Sequence, residues 1–145
     1  MLAGVLAGIL ATLAQMLLWM NFADDFPAML WRDARLTAAL VLGRSVLPPP
    51  FTFDAGVMLA ATLVHFALSI AYAALLAAIC ARLKPCTWIP AGVGFGVALY
   101  FVNLYGFTSI FPWFVQARGP AALIAHGVFG VAVVLFYRRI DKGNA

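Results

Sequence analysis

The chain has 145 residues, 66% of them hydrophobic and 10% charged, with a mean hydropathy of +1.03; a water-soluble domain carries about 25% charged and 45–50% apolar residues. That balance excludes most soluble enzyme folds and leaves room for roughly four membrane spans of about 20 residues plus one sizeable loop. The formal charge of +4 comes from Lys and Arg scattered at the ends of apolar runs, never interleaved with aromatics as a basic stripe. The expected partner is therefore the lipid bilayer and not nucleic acid.

Residues 2–20 contain no charge and would make about 28 Å of helix, enough to cross a hydrocarbon core. No Lys or Arg precedes the run, so it reads as a first span and not as a cleaved signal peptide. The connection to the second span contains a further helix. From Pro27, residues 28–43 place Leu30, Trp31, Ala34, Ala38 and Val41 at helical spacing, with Arg32, Asp33 and Arg35 grouped largely opposite. This pattern predicts an amphipathic helix lying on the membrane surface, closed by Gly43. Pro48, Pro49 and Pro50 then stop any helix and form a stiff spacer back to the membrane.

Residues 55–81 form the second expected span, ended by Arg82, Lys84 and Pro85. The third covers residues 87–111, framed by Trp88 and Trp113 as interfacial aromatics. Residues 112–120 make a tight turn, and residues 119–137 form the fourth span before Arg138 and Arg139. Arg82, Lys84, Arg138, Arg139 and Lys142 crowd one side. Arg32, Arg35, Arg44 and Arg118 lie on the other, among Asp24, Asp25, Asp33 and Asp54. The first side is expected to be cytoplasmic, with both termini, and the loop helix periplasmic. Cys80 and Cys86 would then be reduced thiols, and without neighbouring His, Asp or Glu they make a poor metal site. The fold class is thus an all-α, integral membrane four-helix bundle with an amphipathic loop helix, in a single transmembrane domain.

Gly4 and Gly8, and Gly92 and Gly96, are spaced four apart, and the last span carries Gly127 and Gly130. Such small residues let helix backbones approach. They serve either packing within one bundle or the contact of a homodimer.

The chain has no Glu, and its five Asp lie outside the apolar runs. The polar residues inside those runs are therefore informative, because burying them in lipid is costly unless they find partners. At 1.5 Å per residue, Gln15, His65, Asn103 and His126 lie about 18–25 Å from the cytoplasmic ends of their spans. Each helix thus contributes one strong hydrogen-bonding group to the same layer. His65, Ser69 and Tyr72 share one helix face, as do Thr12, Gln15 and Trp19. The layer is either interhelical glue or a ligand-binding or proton-titrating site. Two histidines at equal depth are also the minimal ligand set for a bis-histidine haem. Two alone are a thin site for zinc or copper, even with Met16 and Met20 beside them. No metal or cofactor is expected. Ser69 beside His65 lacks an orienting acid and an oxyanion hole, so no catalytic residue is expected either.

The first span with Gln15 and Trp19, the loop ending in PPP, and the stretches LVHFALSIAYAALLA, NLYGFTSIFPWF and AHGVFG with a terminal YRR carry a resemblance. Over nearly its whole length the chain resembles small proteobacterial inner-membrane proteins commonly labelled "sodium:proline symporter". More distantly it is similar to YagU-like inner-membrane proteins. The resemblance implies a bacterial inner-membrane protein. The expected role is non-enzymatic: binding, stress response or an accessory function, the small-molecule ligand being unspecified. The alternatives are a small-solute transporter acting as an oligomer and, third, a haem-binding membrane protein.

Overall fold

The computed structural model describes residues 1–22 and 25–143, with side chains through Arg139. Asp24 and the side chain of Lys142, which enter the charge comparison above, lie outside the described residues. The protein is all-α. Helices α1 (Leu2–Phe22), α2 (Ala28–Leu42), α3 (Ala55–Cys80), α4 (Trp88–Phe101) and α5 (Pro120–Gly143) are joined by short 3₁₀ turns, and no strand occurs among the described residues. Four segments are long and apolar enough to cross a membrane: Leu2–Phe22, Ala55–Cys80, Pro85–Ser109 and Pro120–Arg139. Four crossings bring both termini to one end of the bundle. The opposite end, which carries α2 and the turn before α5, is called distal below.

Local chemistry sets the helix limits. Asp54 caps α3, its Oδ1 accepting from the Val57 amide at 2.9 Å, which satisfies one orphan donor of the first turn. Gly43 ends α2 at φ +79°, in the left-handed region where a side chain would strain the backbone. Trp88 at the head of α4 donates from Nε1 to the Leu83 carbonyl at 3.2 Å.

Within the bundle α5 is the common partner, packing closely on α1 and α4 and less extensively on α3, while α1 also packs on α3. The glycines explain these pairings. A Cβ on Gly96 would overlap the His126 carbonyl oxygen, and one on Gly130 would overlap the Gly92 carbonyl oxygen. Across the α1–α3 contact, a Cβ on Gly4 would sit 2.9 Å from the Ile70 Cα, and one on Gly8 2.8 Å from the Ser69 Oγ. Both glycine pairs are therefore engaged inside the bundle, with backbones in direct contact. Leu76, Val133, Val134 and Cys80 fill the core toward the terminal end.

Two elements depart from the expected pattern. The third span is not one regular helix: α-helical bonding gives way to a π-helical segment, Val102–Gly106, and then to the 3₁₀ turn Phe107–Ser109. A wide turn leaves carbonyls less well served, and here Arg118 supplies the missing donor. Its Nε reaches the Leu104 oxygen at 2.8 Å and its guanidinium reaches Thr108 Oγ1 at 3.1 Å, while stacking 4.0 Å over the Tyr105 ring.

The second departure is the rotation of α2. The helix forms close to the expected limits, but part of its predicted apolar stripe is taken up by a contact with α3. Ala34 and Ala38 pack on Val57 and Ala61 of α3, whereas Val41, placed on the apolar face from sequence, is 62% exposed. The indole of Trp113 donates to the Leu36 carbonyl at 3.0 Å, fastening α2 to the turn before α5. Arg35 holds the Val46 and Thr52 carbonyls at 3.0 and 3.1 Å, which ties down the connection to α3. The reason is tertiary. Small side chains at 34 and 38 let α2 dock on α3.

Candidate functional site

The distal half of the bundle encloses a cavity of about 720 Å³. Gln15, His65, Asn103 and His126 all line it, and so do Ser69 and Tyr72. The depths explain the meeting. Counted from the distal helix ends, Gln15 lies seven residues from Phe22, His65 ten from Ala55 and His126 six from Pro120, which is about 9–15 Å below that end at 1.5 Å per residue. Asn103 sits on the π-helical segment. Such wide turns recur at functional sites because they re-aim side chains that a regular helix would place elsewhere.

Two hydrogen-bonded groups face the cavity. In the first, Tyr72 donates to Asn103 Oδ1 at 2.9 Å, Asn103 Nδ2 approaches His126 Nε2 at 3.5 Å, and His126 Nδ1 lies 2.7 Å from the Ala122 carbonyl oxygen. A carbonyl can only accept, so Nδ1 carries the hydrogen and Nε2 is left to accept from Asn103. The donors thus run in one direction from α3 through α4's extension to α5. In the second group, His65 Nε2 lies 3.4 Å from the Gly8 carbonyl oxygen and 3.3 Å from Thr12 Oγ1. The absence of a side chain at Gly8 is what lets the ring approach α1. The two histidines share the cavity but belong to different hydrogen-bonded groups, with Asn103 partnering only His126.

Asp33 is the residue that sequence reasoning missed. Assigned to a charged face of α2 away from the membrane, it instead lines the cavity. Its Oδ2 accepts from Gln15 Nε2 at 3.3 Å, and its Oδ1 pairs with Arg32 at 2.7 Å, the two side chains being 18% and 22% exposed. A carboxylate outside every span in sequence therefore reaches the intramembrane polar layer through the fold. Burial pushes its pKa above the ordinary carboxylate value, against the opposing pull of Arg32 and the hydrogen bond from Gln15. The sign follows from linkage. A group that binds its proton more tightly when folded contributes stability at low pH that is lost as pH rises through the raised pKa. The detergent-solubilised protein is accordingly expected to melt at a lower temperature at pH 7.5 than at pH 5, with part of that difference missing in Asp33→Asn. An unchanged pH dependence in the variant would show that Asp33 titrates as it does in water. Comparison with the variant separates Asp33 from other groups titrating in the same range.

The remaining wall is apolar and aromatic, with Trp19, Phe66, Phe107, Phe111, Phe114 and Phe129 among its residues. An apolar chamber with a few converging polar groups is the ordinary form of a small-molecule site. Tyr100, beside this wall on α4, is buried, and its hydroxyl accepts from the Gly119 amide at 3.3 Å. Among the described residues no group of three or more His, Cys, Asp and Glu side chains comes together. Cys80 is buried and Cys86 exposed, and the two are not bonded to each other.

Fold and composition together define a multi-pass membrane protein with a largely apolar cavity into which a few polar side chains converge. No protein-family model, curated protein or solved structure matches the chain.

Proposed function

We propose that this protein is a non-enzymatic binding protein of the bacterial inner membrane, holding a small molecule with an apolar body and one hydrogen-bonding end. The observation that supports the reading most directly is the cavity of about 720 Å³ on whose wall polar residues of all four spans converge. In this reading the Tyr72–Asn103–His126 chain, His65 and Ser69 orient the polar end, and the aromatic wall takes the body. A bis-histidine haem fits the site less well. It needs both Nε2 atoms turned to one iron, whereas these are turned to Gly8 and Thr12 on one side and to Asn103 on the other.

The test uses 8-bromooctan-1-ol, whose bromine quenches indole fluorescence. With Trp31 and Trp88 replaced by Phe, two tryptophans remain, Trp19 on the cavity wall and Trp113 away from it, so the quenched share of the emission is that of Trp19. Saturable quenching, abolished by Ala117→Phe on the same wall, is expected. Quenching that rises linearly with the bromoalcohol and ignores that substitution would reflect partition into the micelle and would sink the reading.

A second reading, small-solute passage by an oligomer, is favoured by Asp33, which brings to the cavity a titratable acid that the spans lack. For either reading we place both termini in the cytoplasm, on the strength of the basic residues at the terminal end. A C-terminal reporter that matures only in the cytoplasm should be active, and a silent reporter together with an active periplasmic one would invert the orientation.

A further inference from the structure

A second concavity, separate from the polar chamber, lies on the flank of the bundle. It has a volume of about 770 Å³ and is walled by Leu10 of α1, Val93 of α4 and a row along α5 from Ile124 to Leu135, ending at Arg138 and Arg139. Leu10, Val93, Ile124 and Leu135 are 42–48% exposed, so the wall is open to the surroundings and not part of the core. Along α5 the groove runs fifteen residues, from Ile124 to Arg139, or about 22 Å at 1.5 Å per residue. One leaflet of a bilayer whose hydrocarbon core is about 30 Å thick is roughly 15 Å deep. The groove is therefore long enough to hold an acyl chain over its whole depth. Three residues in from its distal end, Gly127 leaves a notch: a Cβ built there meets nothing within 4 Å, unlike the glycines of the helix contacts.

We infer that this groove is a binding site for one anionic glycerophospholipid, its acyl chain lying against Val93, Gly127 and Val131 and its phosphate held by Arg138 and Arg139. The occupant follows from the two ends of the groove. The apolar run opens sideways into hydrocarbon, so a lipid chain reaches it without crossing water. Two guanidiniums stand where the span meets the headgroup layer, and guanidinium recognises phosphate with charge-assisted, bidentate hydrogen bonds. Basic pockets between spans select anionic headgroups in this way. The site is independent of the cavity reading, since the two share no residue.

The test is native mass spectrometry of the purified protein with phosphatidylglycerol or phosphatidylcholine of matched chains. Wild type should retain one phosphatidylglycerol at collision energies that strip phosphatidylcholine. Each basic residue near an anionic headgroup contributes roughly fivefold, so Arg138→Gln with Arg139→Gln should weaken phosphatidylglycerol retention about 20-fold and erase the preference. Gly127→Leu builds into the notch from a position whose Cβ meets nothing within 4 Å and favours the helix, so it should lower retention of the bound lipid while leaving thermal unfolding unchanged or raised. Equal retention of the two lipids by wild type would overturn the site, as would unaltered phosphatidylglycerol binding in the well-folded Gly127→Leu protein.

Discussion

Gly96→Leu is expected to separate α4 from α5 and abolish the folded bundle, whereas Gly94→Leu, two residues away and on the other side of the helix, is expected to leave it intact. The contrast rests on what each position faces. A Cβ at 96 would overlap the His126 carbonyl oxygen and lie 3.0 Å from the Gly127 Cα, both of them backbone, while at 94 it meets nothing within 4 Å. Side chains can move aside, but two helix backbones in contact can only part. Overpacking an ordinary core costs about 1–3 kcal/mol, and a leucine wedged between backbones exceeds that range. Because Gly is about 1 kcal/mol worse than Ala in a helix, Gly94→Ala should be neutral or slightly stabilising, and Gly96→Ala destabilising. Denaturation in mixed micelles, followed by tryptophan fluorescence, gives the comparison. Equal stability of the variants at 94 and 96 would mean that the α4–α5 seam is looser than described.

The second large effect concerns Asn103, and its size reports on the content of the cavity. Asn103→Leu removes the acceptor of Tyr72 and the neighbour of His126 Nε2. If the chamber were dry, both groups would be left unsatisfied, at about 1–3 kcal/mol each. If water fills it, only the exchange of two interhelical bonds is lost, at an average of about 0.6 kcal/mol each. With an apolar wall over most of its surface the chamber is expected to behave as dry near Asn103, so the variant should lose about 2 kcal/mol or more. Adding Tyr72→Phe should then restore part of the loss, because the orphaned hydroxyl goes with it. A double-mutant cycle with no coupling would contradict the hydrogen-bonded chain.

The sequence was legible where one residue type decides the outcome alone. Long uncharged runs read as spans, Gly43 reads as a helix end, and Gln15, His65, Asn103 and His126 stand out because no other amide or imidazole side chain lies inside the apolar runs. What could not be read there depends on a partner far away in sequence. The rotation of α2 follows from the fit of Ala34 and Ala38 on α3, so Asp33 could not be assigned to the cavity from the periodicity of its own helix. The stretch VNLYG carries no mark of a π-turn, since its irregular backbone is supported by Arg118, more than a dozen residues further on. The distal arginines were weighed as topology signals, yet each also does local work. Arg32 pairs with Asp33, Arg35 holds two carbonyls, Arg44 lies over the Trp113 ring and Arg118 serves the π-turn. A count of charges cannot tell those employed by the fold from those that only orient it.

The π-helical segment also bears on how the third span can change in length. An α-helix advances about 100° per residue, so one extra residue absorbed in a wide turn leaves the chain beyond it in phase with the chain before it. Residues 102–106 thus act as a reservoir of one residue. Losing one there would let the span close into a continuous α-helix, and Asn103 would be the casualty while the glycine seam at 92 and 96 kept its register. Losing one between 92 and 96 would turn that seam away from α5. Variation in the length of this span is therefore confined to the end that shapes the chamber, where it alters what the chamber can hold without undoing the bundle.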